Sequence, residues 1–200
     1  MQLKAEKLTC VRGGREVFRD VSFALKNGEA LLVTGRNGAG KSSLLRMIAG
    51  LVRIASGTLS LEGGQAEAAT GEQAHYLGHL DTLKPALTVA ENLRFWAEFL
   101  GPSSGDIGPA LEAVDLARLA SLPAGYLSAG QRRRLSIARL VAVPRALWLL
   151  DEPTSALDAA SQTRLADLMR RHLASGGMIV AAAHGPIGLE RARELKMGAQ

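Results

Sequence analysis

Three short segments of this 200-residue chain carry side chains that could do chemistry, and they follow one another in a telling order. The first, Gly35-Arg36-Asn37-Gly38-Ala39-Gly40-Lys41-Ser42, meets the pattern G-x-x-x-x-G-K-[ST] at every position. That pattern binds phosphate. Glycines let backbone N–H groups curl around phosphate oxygens, and a helix starting at the loop adds partial positive charge. Lys41 is expected to reach the outer phosphates and Ser42 to offer its hydroxyl to Mg²⁺, with Ser43 next in the same helix start. The second segment is the carboxylate pair Asp151-Glu152 behind Leu147-Trp148-Leu149-Leu150. An apolar run of that kind reads as a buried parallel strand, and ligands bind at the carboxyl ends of such strands. Asp151 is expected to hold Mg²⁺ through water. Glu152 is expected to orient and deprotonate an attacking water, a role worth roughly 10²–10⁴-fold in rate. The third segment is Leu127-Ser128-Ala129-Gly130-Gln131. Ser128 offers a hydroxyl and an N–H at a helix start, and Gly130 permits close backbone approach, so the segment reads as a second anion site.

These residues need a scaffold. Leu3–Val11 and Val17–Leu25 read as strands about a Gly13-Gly14 turn, and Ala30-Leu31-Leu32-Val33-Thr34 as the buried strand feeding the phosphate loop. A helix is expected over Ser42–Ala49, a strand over Gly57–Glu62, a loop over 63–74 and a short strand at His75-Tyr76-Leu77. Val89, Leu93, Trp96 and Leu100 lie at helical spacing within Thr88–Leu100. After a Gly-, Pro- and Ser-rich loop at 101–109, residues 110–120 are expected to be helical. Ser128 would cap a helix running to about Ala142. A strand is expected over Ala146–Leu150, a helix over Asp158–Leu173 and a last core strand over Met178–Ala183, followed by His184. Alternating strands and helices imply a mainly parallel sheet covered on both faces. The fold class is therefore α/β: a mainly parallel core at about 1–80 and 143–200, which with its phosphate loop resembles the phosphate-loop NTPases of RecA type, with an N-terminal antiparallel part and a helical subdomain inserted at about 85–142.

Composition fits one soluble domain, at 47% hydrophobic and 22% charged. No apolar run approaches the roughly 20 residues of a spanning helix, and the N-terminus lacks the pattern of a secretory signal. Cys10 is alone, so no internal disulfide can form, and it is expected to fill the first strand. The net charge of +5 raises nucleic acid as a partner. The densest clusters, Arg132-Arg133-Arg134 and Arg170-Arg171-His172, have no interleaved aromatics. They read as solvated or membrane-facing surface, and no nucleic-acid partner is expected.

A phosphate loop, then "LSAGQ", then an apolar strand ending in Asp-Glu resembles the ATP-binding cassette (ABC) ATPases over nearly the whole chain. The resemblance implies ATP and Mg²⁺ as ligands and a head-to-tail dimer, in which Ser128, Gly130 and Gln131 cap the ATP held by the other copy. It implies that His184 contacts the γ-phosphate and steadies the attacking water, and that Ser155-Ala156-Leu157-Asp158 crosses the dimer interface. The commonest family form has glycine where Ala129 stands. Two further positions depart from the family pattern. An aromatic that stacks on adenine would fall near Arg12, with Phe18 a core-like second candidate. The glutamine that touches Mg²⁺ and senses the membrane part falls at His79. The segments "YLGH" at 76–79, "LTVAENLRFW" at 87–96 and "LSAGQRRR" at 127–134 resemble the ATP-binding subunits of bacterial cytochrome c maturation systems, the heme exporter branch. That implies integral membrane permease subunits as partners, at the cytoplasmic face of the inner membrane, with the helix of Phe95, Trp96 and Phe99 near them. No heme ligand is expected in this chain. The alternatives are an ABC ATPase for another substrate, or a soluble one acting in translation or DNA repair.

Overall fold

The computed structural model describes residues 1–65, 67–101 and 106–198. Its contacts divide the chain into two compact units, Met1–Tyr76 with Arg145–Pro153 and Met169–Gln200, and Leu77–Pro144 with Thr154–Leu168.

The first unit contains two sheets. β1 (Gln2–Arg12) pairs antiparallel with β2 (Arg15–Lys26) on one side and β4 (Ser56–Glu62) on the other. Leu3 and Ala5 alternate inward; then Lys7, at φ 49, marks an irregularity where the register shifts between Ala5 and Leu8. Further shifts between Leu8 and Cys10 and between Cys10 and Val11 accompany the burial of Leu8, Thr9 and Cys10 in succession, which simple alternation would not allow. Cys10 is a fully buried filler, and burial raises its thiol pKa. The second sheet joins β3 (Ala30–Gly35), β5 (Ala74–Leu77), β6 (Leu147–Asp151), β7 (Met178–Ala182) and β8 (Arg193–Met197) in the order β5-β6-β7-β3-β8. β3 runs parallel to β7 and β8, and β6 parallel to β7. Every residue of β6 and β7 is buried, as their unbroken apolar runs require. Leu44, Leu45, Met47 and Ile48 of α1 (Lys41–Ile48) pack in one core with Leu3, Val33, Leu149 and Val180. Full burial of such a side chain stabilises the fold by about 1.5–3 kcal/mol.

β7 is not the last core strand, as the sequence suggested. β8 follows it, and four of its five residues are at least partly exposed, so no apolar run announces it. Its identity as a strand comes from lying at the sheet edge, with Met197 paired to Gly35.

In the second unit α2 (Val89–Leu100) starts at a capping box, with Glu91 N–H donating to Thr88 Oγ1 and Thr88 N–H to Glu91 Oε2. The helix expected over 110–120 is broken. α3 (Gly108–Ala113) ends before Asp115, whose φ of 56 is left-handed, and Ala117–Leu119 form a separate 3₁₀ turn. Arg134 donates to the carbonyls of Val114 and Asp115 at this break. Arg134 lies on α4 (Ala129–Ala142), and the whole Arg132-Arg133-Arg134 cluster departs from the solvated surface expected of it. Arg133 is 1% exposed and donates to Gly78 O, while Arg132 donates to Leu127 O. Backbone carbonyls, invisible in a composition, absorb these charges. Asp158 precedes α5 (Ala159–Ala174) and caps it, its Oδ1 accepting from Ser161 N at 2.8 Å. No helix among the described residues is long and apolar enough to cross a membrane.

Candidate functional site

The phosphate loop leaves β3 at Gly35 and enters α1 at Lys41. Two of its glycines are obligatory. A Cβ on Gly35, at φ 140, would stand 2.4 Å from the Met197 carbonyl oxygen of β8. A Cβ on Gly40, at φ 93, would stand 2.8 Å from Val17 Cγ1 and 2.9 Å from Phe18 Cδ1 of β2. The two sheets thus grip the loop at both ends, leaving Arg36, Asn37 and Gly38 exposed between them. Lys41 is 8% exposed, and its ammonium donates to Gly35 O at 2.9 Å and Arg36 O at 3.3 Å. Ser42 and Ser43 are half-buried in the first turn of α1.

The acidic pair meets this loop. Asp151 is 3% exposed, and Ser42 Oγ donates to its Oδ1 at 2.9 Å. Its other oxygen accepts from Tyr76 Oη at 3.3 Å. Glu152 leaves the strand at φ 47, with its N–H donating to Ala182 O of β7. A left-handed glutamate costs about 1–3 kcal/mol, and such conformations persist where the surroundings fix them. The turn brings Glu152 Oε1 to 3.5 Å from His184 Nε2. His184 Nε2 is also 3.4 Å from Lys41 Nζ, and the ring can accept from Lys41 or donate to Glu152 according to its tautomer. Val17, Asn37, Gly38, Gly40, Lys41, Ser42, Ser43, Glu152 and His184 line a cavity of about 280 Å³. A larger one, about 680 Å³, opens beside Glu29, Arg170 and Arg193 and contains none of the expected site residues.

A hydroxyl and a carboxylate in contact, both hard oxygen donors, fit Mg²⁺. That ion keeps several waters and takes phosphate oxygens rather than demanding an all-protein cage. No group of three or more His, Cys, Asp or Glu residues able to hold a metal occurs among the described residues.

The other expected site residues, Ser128, Gly130, Gln131 and His79, belong to the second unit. Ser128 and Gln131 form a capping box at the start of α4. Gln131 N–H donates to Ser128 Oγ at 3.2 Å, and Ser128 N–H donates to Gln131 Oε1 at 2.8 Å. The Ser128 N–H expected to face a ligand is thus spent within the helix start. Its hydroxyl proton and the first-turn amides of Ala129 and Gly130, which lack intrahelical acceptors, retain that capacity. A Cβ on Gly130 would stand 3.0 Å from Ala156 O, so the segment Ser155–Asp158 packs against the pentapeptide. His79 is exposed. Arg12 is exposed, and Phe18 belongs to the core. Trp96 is half-buried, its indole donating to Thr82 O, whereas Phe99 is 71% exposed. Tyr76, whose hydroxyl reaches Asp151, is not among the residues expected at the site from the sequence. It sits in a short strand whose period says nothing about a hydroxyl reaching Asp151.

The chain matches the ABC transporter family over residues 18–155. The cytochrome c biogenesis ATP-binding export protein CcmA of Nitrobacter winogradskyi is 60% identical over 198 residues, covering 99% of this chain and 98% of that one. The protein of the same name from Brucella abortus is 52% identical over 192 residues, covering 96% and 89%. Among solved structures, an ATP-binding subunit of an ABC transporter superposes with a TM-score of 0.88 at 26% identity, covering 98% of this chain and 86% of that one. An ATP-binding protein from Pyrococcus furiosus described as a putative ABC transporter shares the fold, with a TM-score of 0.84 at 20% identity and 98% of each chain covered. The family match over residues 18–155 and the 60% identity to a full-length relative join the loop, the acidic pair and the pentapeptide into one assignment: the chain belongs to the ABC transporter family, among its ATP-hydrolysing subunits.

Proposed function

We propose that this chain is the ATP-hydrolysing subunit of a membrane complex that handles heme in cytochrome c maturation, moving heme or releasing a loaded heme chaperone. One observation supports the catalytic part above all: Glu152 and Lys41 both lie within 3.5 Å of His184 Nε2, at the mouth of the phosphate loop. The names of the full-length relatives, cytochrome c biogenesis export proteins, support the biological part.

In this reading the amides from Gly35 to Ser43 surround the phosphates of ATP and Lys41 neutralises their outer oxygens. Ser42 and Asp151, in contact in the first unit, would hold Mg²⁺. Bound Mg²⁺ supplies charge neutralisation on the phosphate oxygens. Glu152 takes the proton of the attacking water, and His184 holds that water against the terminal phosphate. Ser128, Gly130 and Gln131 close the site of a second copy, so the cycle of binding and hydrolysis closes and opens a dimer. The membrane subunits convert that motion into work at the cytoplasmic face of the inner membrane. Heme itself stays with the partners: His75 is buried, His172 stacks on Trp148 and His184 serves the phosphate site.

A gentle pull-down of this chain from detergent-solubilised membranes tests the proposal. Integral membrane subunits and heme, detected by absorbance, are expected to copurify and to be released by ATP but not by a non-hydrolysable analogue. Recovery of ribosomes or DNA instead of membrane subunits would sink the reading.

A further inference from the structure

If Ser42 and Asp151 are to share a metal ion, the Asp151 carboxylate must keep one orientation. Ser42 Oγ donates to Oδ1 at 2.9 Å, and a second hydroxyl is bound at the other oxygen. Tyr76 Oη of β5 lies 3.3 Å from Asp151 Oδ2. The same phenol oxygen is 3.1 Å from Nε of Arg46, on α1. The sense of this chain is forced. A guanidinium N–H can only donate, so the phenol oxygen accepts from Arg46 and turns its single proton toward Asp151. Arg46 lies one helical turn beyond Ser42, so α1 supplies a donor to each end of the relay. Asp151 is almost fully buried, where a carboxylate held at both oxygens is stiff and its hydrogen bonds are strong.

We propose that Tyr76 is a positioning residue for the metal-binding carboxylate, with Arg46 fixing the direction of its hydrogen bond. The proposal rests on the Mg²⁺-dependent ATPase reading above. Tyr76 touches neither nucleotide nor metal in this account. It acts through Asp151, as groups that orient metal-binding carboxylates do. Removing the hydroxyl should therefore change how much metal the site needs and leave the phosphate loop's own grip on nucleotide intact.

Tyr76→Phe keeps the ring and deletes the hydroxyl. Binding of a fluorescent ATP analogue is measured in EDTA and across a Mg²⁺ titration. In EDTA the variant is expected to match the wild type, while the Mg²⁺ concentration giving half-maximal tightening rises about 10-fold. Arg46→Met, which leaves the phenol in place without its director, should shift the Mg²⁺ midpoint in the same direction by less. It carries the same comparison if Tyr76→Phe does not fold. An unchanged Mg²⁺ midpoint in both variants overturns the proposal. So does an equal loss of affinity with and without Mg²⁺, which would make Tyr76 a support of the pocket. Wild-type protein with no Mg²⁺-dependent tightening would instead overturn the ATPase reading on which the proposal stands.

Discussion

Glu152 shows how much backbone this site commits to one carboxylate. Its φ of 47 is unfavourable for a side chain of that size, yet its N–H is pinned to Ala182 O and Oε1 lies 3.5 Å from His184 Nε2. A glutamine there keeps the shape and loses the ability to take a proton. Glu152→Gln should bind ATP as the wild type does and hydrolyse it about 10²–10⁴-fold more slowly, read as phosphate release against nucleotide binding. A rate near that of the wild type would remove Glu152 as the base. That this residue shares a cavity with Lys41 and Ser42 was legible because the candidates stand in short consecutive segments at strand ends. Tyr76 was not. Its hydroxyl matters only because β5 neighbours β6 in the sheet, and strand order is a tertiary fact.

At the scale of elements, α4 does more than present the pentapeptide. Arg133, Ser136 and Arg139 follow one another at single-turn spacing, and all three reach the segment 78–82. Arg133 donates to Gly78 O, Ser136 Oγ to Asp81 O at 2.8 Å, and Arg139 to Thr82 Oγ1 at 3.1 Å, with its guanidinium over the Trp96 ring. Arg133→Met would strand the Gly78 carbonyl and the Asp81 carboxylate 3.6 Å away, so the urea midpoint should fall by the equivalent of about 3 kcal/mol. A surface role for Arg133 would leave it unmoved. The helix itself was legible from Ser128 to Ala142 because Ser128 can cap its start and Pro144 stands just past its end; its buried polar face was not, since an Arg-rich stripe reads as solvent-facing until the loop that covers it is known. α5 offers a pH test of the same kind. His172 stacks on Trp148 with centroids 4.0 Å apart, and Nε2 faces Met178 O at 3.3 Å. Burial holds its pKa below the usual 6.5. As pH drops below that value the unfolded chain takes a proton that the folded chain refuses, so this part of the stability is full above 6.5 and lost as pH falls through the folded pKa. His172→Phe keeps a ring on Trp148 and should flatten that slope, seen as a smaller difference between urea midpoints at about pH 7.5 and about pH 5.5 than in the wild type. Equal differences in the two proteins would exclude His172 as the source.

At the scale of the whole molecule, two helix starts carry the expected anion-binding segments, that of α1 with the lysine and the acidic pair beside it and that of α4 without them. Lys41, Glu152 and His184 converge at the start of α1. Ser128 and Ala129 stand exposed at the start of α4, in the other unit, with Tyr126 78% exposed just before them. If α4 serves the nucleotide of a second copy, blocking it must spare binding and stop turnover. Ser128→Arg puts a long side chain where phosphates should arrive, but it also removes a helix cap worth about 1 kcal/mol. Ser128→Asp keeps the cap and opposes the phosphates with charge, so folding cannot explain its effect. Both variants should bind the fluorescent ATP analogue as single subunits with wild-type affinity and hydrolyse ATP at background rate. Placed in the Glu152→Gln protein, which should dimerise when ATP is added, either change should keep the chain monomeric by light scattering. Weaker nucleotide binding by the monomer would show that the pentapeptide serves its own chain's site, and the head-to-tail dimer would lose its physical reason.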